Sequence, residues 1–121
     1  MIVAVAVAAD CGINTDMAAR FGRASGFLLC DTETGRHSFL PNDQNLNAPQ
    51  GAGIQAARHV VESGAEAVVA RHCGPKAFRT LEAAGIPVYL SQASTAAEAL
   101  AEREAGIWKR QDAPDQEGHW I

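Results

Sequence analysis

The His72-Cys73 dipeptide is the part of this sequence best suited to metal coordination. Imidazole and thiolate are both good ligands for soft transition metals, and the nearby cations Arg71 and Lys76 would lower the pKa of the Cys73 thiol. Two donors alone cannot complete a tetrahedral site. The alternative is that Cys73 is a small buried residue at a strand end and that His72 is an ordinary loop histidine.

The other two cysteines carry weaker signals. Cys11 follows the first apolar segment, where it either faces the same pocket as His72 or completes a turn. Cys30 lies inside a hydrophobic segment and is expected to be a core residue rather than a ligand. Because the three cysteines are scattered with no C-x-x-C spacing, they are expected to be reduced thiols that form neither a disulfide framework nor a self-contained zinc site.

Two arginines flank an aromatic residue and a glycine in the order Arg20-Phe21-Gly22-Arg23. Guanidinium groups with this spacing can both approach one anion while the Phe21 ring packs into the protein. The alternative is a solvated pair of charges on a loop, which is the usual state of surface arginines.

Familiar nucleotide-binding and hydrolytic patterns are absent from the sequence. Gly51-Ala-Gly53 lacks the third glycine and the following acidic residue of a dinucleotide fingerprint, and there is no G-x-x-x-x-G-K-[ST] phosphate loop. Asp10 and Asp31 could form a carboxylate pair on a divalent ion, as a hydrolase would need, but no further carboxylate joins them in the expected site loops. Each is also expected simply to cap a strand end.

The elements that position these residues follow the order strand, strand, strand, helix, strand, helix, strand, helix. Apolar runs and turn signals predict the strands, and apolar positions three and four residues apart predict the helices. An antiparallel meander followed by two crossover units predicts an α/β fold with a five-stranded mixed sheet and helices on its faces.

Loops at one edge of this sheet are expected to form a ligand site, because ligands bind beyond the carboxyl ends of parallel strands. Helix N-termini at that edge present backbone N–H groups and favour an anion. The predicted anion-binding residues are Arg20, Arg23, Gly51, Gly53, Arg71, Gly74 and Lys76, and the candidate metal ligands are His72, Cys73 and Cys11.

Length and composition place the chain among ordinary globular proteins. It has 121 residues, of which 47% are hydrophobic and 20% charged, with a net charge of -4. An acidic chain offers no electrostatic footprint for nucleic acid or an anionic membrane. The longest apolar run is far shorter than the roughly 20 residues of a membrane helix, and no basic segment precedes it, so a cytoplasmic location is expected. We expect one domain at 1–105 and a polar, partly disordered tail at 106–121.

A series of motifs in order along residues 1 to about 104 resembles the dinitrogenase iron-molybdenum cofactor biosynthesis family. After an Ile-x-Val-type first strand, the motifs are Phe21-Gly22-Arg23-Ala24, Asp31-Thr-Glu-Thr-Gly35, Gly51-Ala-Gly-Ile-Gln-Ala-Ala57, Gly74-Pro75-x-Ala77-Phe78 and Gly85-Ile86-Pro87-Val88-Tyr89. The resemblance implies a ribonuclease-H-like sheet. It also implies non-enzymatic carriage of an anionic molybdenum-containing sulfide cluster, either Fe-Mo-S or, as in the orange-protein branch, Mo-Cu-S, with a donor or acceptor protein for transfer.

The chain departs from the family pattern at two places. Many members have histidine immediately before Phe-Gly-Arg, where this chain has Arg20, and small residues before Gly-Pro, where it has Arg71-His72-Cys73. These changes imply a more electropositive pocket and favour a differently charged or mixed-metal cluster over the nitrogenase cofactor itself. The alternative functions are a metal-independent interaction module in a maturation or regulatory complex, with the Trp-containing tail as its handle, and a divalent-metal hydrolase.

Overall fold

The sheet is built around β1 (Ile2–Val7), whose residues from Val3 onward are fully buried. The computed structural model describes residues 1–112. The remaining strands are β2 (Gly26–Asp31), β3 (His37–Pro41), β4 (Ala67–Ala70), β5 (Val88–Leu90) and β6 (Lys109–Arg110). The helices are α1 (Ala52–Ser63), α2 (Pro75–Ala83) and α3 (Ala96–Glu104), with short 3₁₀ helices at Gly12–Asn14 and Phe21–Arg23.

The strand order is β3-β2-β1-β4-β5-β6, and the pairing is mixed. Strands β1, β2 and β3 pair antiparallel, whereas β1, β4 and β5 are parallel neighbours. The predicted α/β class, the antiparallel meander and the two crossover units are therefore confirmed.

The expected count of five strands is wrong, because β6 adds a sixth to the described part of the chain. Gly106 has a φ of 72°, which lets the chain turn back after α3. The Trp108 indole then donates to the Ala99 carbonyl at 2.6 Å and packs 5.3 Å from the Tyr89 ring, bringing β6 alongside β5. A strand of two residues that depends on these tertiary contacts is too short to give a local strand pattern in the sequence. Of the expected disordered tail, residues 113–121 lie outside the described part.

Alternate residues of β1 face two different cores. Ala4 and Ala6 lie on the face covered by α1 and α2, whereas Val3, Val5 and Val7 lie on the face covered by α3. This alternation follows from the two-residue period of a strand. No helix within residues 1–112 is long and apolar enough to cross a membrane.

The loop between β3 and α1 is held by side-chain amides rather than by regular structure. Asn42 is buried and donates to the Ala24 carbonyl at 2.9 Å. Gln55, in the first turn of α1, accepts from the Asn45 N–H at 2.7 Å and donates to the Gln50 carbonyl at 2.9 Å. These bonds tie the loop to the N-terminal turn of α1, which borders the site described next.

Candidate functional site

An open cleft of about 320 Å³ lies where the 3₁₀ helix Phe21–Arg23 meets the N-terminal turns of α1 and α2. The cleft is at the carboxyl edge of β4, where the β4–α2 loop leaves the sheet, as expected for parallel strands. Its lining is Arg20, Phe21, Gly22, Arg23, Ala52, Gly53, His72, Gly74, Pro75, Lys76 and Ala77. The segment after β1 and the β4–α2 loop thus line the same cleft. The segment after β5 supplies no lining residue within the described chain.

Glycine caps both helices that begin at the cleft. Gly51 precedes α1 and Gly74 precedes α2, each in an extended conformation, and within the described residues neither helix receives a side-chain cap. Pro75 occupies the first turn of α2, where its missing N–H costs nothing. The first-turn N–H groups of both helices, at the positive ends of the helix dipoles, therefore suit an anion in the cleft.

Helix α3 provides a contrast, because it is capped by its own side chains. The Thr95 hydroxyl accepts from the Glu98 N–H at 3.2 Å, and the Glu98 carboxylate accepts from the Ser94 N–H at 3.0 Å. The pair resembles a capping box, except that the Glu98 carboxylate reaches the N–H of Ser94, one residue before the N-cap Thr95. Glycine caps thus occur at the two helix N-termini on the cleft, and a polar cap occurs at the one outside it.

Phe21 anchors the segment that carries the two arginines. Its side chain is 1% exposed and packs 5.0 Å from the Phe27 ring, and its N–H donates to the His72 carbonyl at 2.9 Å. With the ring buried, Arg20 and Arg23 are exposed and both line the cleft. The ring is therefore buried as expected, and the two arginines border the same cleft.

Six of the predicted site residues line the cleft, and four do not. Those that line it are Arg20, Arg23, Gly53, His72, Gly74 and Lys76. Gly51 lies one residue before the lining, and half-buried Arg71 lies directly after β4. The cleft is also lined by residues that were not predicted as site residues, although all five lie in the Phe-Gly-Arg, Gly-Ala-Gly and Gly-Pro motifs: Phe21, Gly22, Ala52, Pro75 and Ala77.

The cysteines lie outside the cleft lining. Cys73 is 0% exposed and packs in the core beneath α1 and α2, and Cys11 is exposed at the start of the first 3₁₀ helix. Cys30 is confirmed as a core residue, and burial raises the pKa of its thiol to about 11. Within residues 1–112 no cluster of three or more His, Cys, Asp or Glu side chains could hold a metal ion.

Asp10 and Asp31 lie at opposite ends of the central strands of the sheet. Asp31 pairs with Ile2 at the start of β1, whereas Asp10 follows the end of β1, and β1 alone spans about 16 Å at roughly 3.3 Å per residue. The Asp31 carboxylate accepts from the Glu33 N–H at 2.9 Å, a bond that lowers its pKa. The pair that the hydrolase hypothesis requires therefore does not form.

Comparisons with known proteins agree with the motif series. The family model described as dinitrogenase iron-molybdenum cofactor matches residues 1–106. An uncharacterised protein of Methanocaldococcus jannaschii is 25% identical over 89 residues, which are 72% of this chain and 75% of that protein.

Solved structures are similar along nearly the whole chain. The apo form of the orange protein from Desulfovibrio gigas has a TM-score of 0.87 and 32% identity, covering 95% of this chain and 96% of that one. A Thermotoga protein described as a NifB candidate has a TM-score of 0.80 and 28% identity, covering 97% of this chain and 98% of that one. The resemblance inferred from the motifs is thus confirmed, and the chain belongs to the dinitrogenase iron-molybdenum cofactor family.

Proposed function

We propose that this protein is a non-enzymatic carrier of an anionic molybdenum-containing metal-sulfide cluster, of the Mo-Cu-S or Fe-Mo-S type, held in the cleft between the 3₁₀ helix Phe21–Arg23, α1 and α2. The supporting observation is that three cations and two glycine-capped helix N-termini surround one cleft. Among the described residues, no carboxylate lines it.

The charge of the cleft is opposite to that of the chain. Arg20, Arg23 and Lys76 supply three formal positive charges, and each helix N-terminus contributes about half a charge, so the described lining carries a formal charge of about +4. The whole chain carries -4. A local positive site on an acidic protein selects a small multivalent anion and repels a bare metal cation.

A sulfide cluster brings its own sulfur, so the protein does not need to supply thiolates. This agrees with the burial of Cys73 and with the position of Cys11 outside the lining. Cys73 would have to be uncovered before it could ligate. Of the candidate metal ligands, His72 lines the cleft, which supports it as the proposed direct ligand of a cluster metal.

The cleft volume suits a compact inorganic guest. The volume of about 320 Å³ is about ten times the roughly 30 Å³ that one water molecule occupies in the liquid. This is enough space for a cluster of a few metals with their sulfides. As a carrier, the protein would exchange this guest with a donor or acceptor protein in the cytoplasm. The ribonuclease-H-like description of the sheet stays a prediction from the family resemblance.

Anaerobic loading of the purified chain tests this function. Tetrathiomolybdate, alone and with Cu(I), is added before gel filtration, and visible absorbance and molybdenum are measured in the protein fraction. The proposal predicts a fixed molybdenum-to-protein ratio for wild type and its loss when Arg20, Arg23 and Lys76 are changed to alanine. The control changes Arg36, Arg58 and Arg79, which are exposed and outside the lining, with the same loss of charge. Colourless wild-type protein, or equal loading of both variants, would contradict the proposal.

The structure gives little support to the alternative function, an interaction module that uses the Trp-containing tail. Trp108, one of the two tail tryptophans, is half-buried and packs against the α3 face of the sheet. Its indole N–H bonds to the Ala99 carbonyl, so the described part of the tail serves the fold.

A further inference from the structure

The β4–α2 loop, residues 71–74, is held through three consecutive carbonyl groups. The Arg71 carbonyl lies 3.5 Å from the Gln92 side-chain nitrogen, the His72 carbonyl accepts from the Phe21 N–H at 2.9 Å, and the Cys73 carbonyl accepts from the Gln111 side-chain N–H at 3.1 Å. The donors come from three different parts of the chain. The loop therefore depends on tertiary contacts for its conformation.

Each of these bonds also orients the following N–H group. A peptide unit is planar, and the peptides of residues 1–112 are trans, so holding a carbonyl holds the next N–H on the opposite side. The bond from Gln111 to the Cys73 carbonyl thus sets the direction of the Gly74 N–H. Gly74 caps α2 and lines the cleft, so Gln111 acts on the part of the loop that would face the anion.

Gln111 is well placed to hold the loop. It is 7% exposed, and its own N–H donates to the Val88 carbonyl at 2.8 Å, so its backbone is anchored to β5 while its side chain reaches the loop 38 residues away. A buried side-chain donor directed at a buried carbonyl is costly to remove, because the carbonyl then loses its partner.

The strand that precedes Gln111 is held less firmly than the central strands of the sheet. It follows β6, an edge strand of two residues that pairs with β5 through Tyr89 and Leu90. Short edge elements open at a lower free energy than the central strands. Contact between Gln111 and the loop can therefore be lost while the domain stays folded.

We propose that Gln111 is a positioning residue of the cleft, through which strand β6 controls how the β4–α2 loop presents His72 and Gly74 to an anionic guest. This inference rests on the proposed function, and it adds a residue outside the cleft lining that tunes affinity without contributing charge. Release of β6 lowers affinity for the anion, and docking of β6 restores it.

The test uses the full chain with Gln111→Met, which keeps the length of the side chain but removes the donor. The affinity for tetrathiomolybdate is expected to fall about tenfold, as when other residues that support a metal site are changed. The salt dependence of binding is expected to stay as in wild type, because no charge is removed. Without any anion, exchange of the Phe21 amide, which bonds to the same loop, should be about tenfold faster, while amides of β1 exchange as in wild type. Ser91→Ala is the matched control, since it removes the side-chain bonds of a buried residue next to β5 to the Glu102 carboxylate and from the Ala93 N–H, neither of which reaches the loop.

The possible outcomes are distinguishable. If wild type binds tetrathiomolybdate and Gln111→Met binds it equally well, the inference is overturned and the proposed function stands. If wild type does not bind, the proposed function fails, and Phe21 exchange alone decides whether Gln111 positions the loop. Equal acceleration of all amides in Gln111→Met, or the same Phe21 effect in Ser91→Ala, would show general destabilisation and overturn the inference.

Discussion

A Cβ atom placed on Gly22 would lie 3.0 Å from the Cα of Gly53 and 3.1 Å from its nitrogen. The 3₁₀ helix that follows Arg20 and the first turn of α1 therefore meet backbone against backbone. Gly53 continues the contact to α2, where its own Cβ would lie 3.4 Å from the Cβ of Ala77. Small residues at these three positions bring the arginines close to both helix N-termini.

We predict that Gly22→Ala destabilises the protein by about 1–3 kcal/mol and weakens cluster loading, because the new methyl group pushes against the backbone of α1. Urea denaturation and anaerobic loading would measure the two effects. Gly51→Ala is the control, since its Cβ would have no atom within 4 Å and its φ of -75° suits any residue. A Gly22→Ala variant as stable as Gly51→Ala would refute the close-approach explanation.

We predict that Arg23→Ala weakens binding of an anionic cluster and flattens its dependence on salt. Removing one cation from the cleft removes one screened interaction, so affinity falls most at low ionic strength. Arg36→Ala makes the same change in net charge on the turn after β2, at the opposite edge of the sheet from the cleft. Titrations at several salt concentrations should separate the two variants, and identical salt dependence would place the anion elsewhere.

We predict that native protein is alkylated at one of its three cysteines. Cys11 is exposed, whereas Cys30 and Cys73 are buried. Iodoacetamide at pH 8 followed by mass spectrometry should therefore label Cys11 before unfolding and all three cysteines in denaturant. Loading a cluster should leave Cys11 labelling unchanged, because Cys11 is outside the cleft lining. Protection of Cys11 on loading would instead identify it as a ligand.

We predict that Cys30 makes the protein less stable in alkaline solution. Burial raises the pKa of its thiol from 9.0 to about 11, so the unfolded chain releases this proton first as the pH rises. The free energy of unfolding should therefore fall between about pH 9 and pH 11 and be unaffected by this group below pH 9. The measurement is the difference in unfolding free energy between wild type and Cys30→Ala as a function of pH. A difference that stays constant across this range would contradict the prediction, and Cys11→Ala is the exposed control.

Local sequence patterns predicted much of the fold and part of the candidate site. The continuous apolar run of β1 and the turn signals after it predicted the meander, and apolar positions three and four residues apart predicted the helices. The spacing of Arg20, Phe21 and Arg23 predicted two charges at one site with the ring buried beneath them, because a large apolar ring between two charges has one favourable orientation.

Only the tertiary structure decided the features that join distant segments. Antiparallel pairing of β1 with β2 separates Asp10 from Asp31, and packing of the β4–α2 loop buries Cys73 although its neighbour His72 lines the cleft. The bond from Gln111 to the Cys73 carbonyl spans 38 residues and leaves no local pattern.

The sequence by itself therefore determined the order of the strands and helices up to α3, the family and the cations beside Phe21 and Gly22, since these follow from residue type and short-range periodicity. The tertiary structure decided which polar groups share the cleft. That choice depends on which faces of the elements pack together, and packing is a property of the whole chain rather than of any segment.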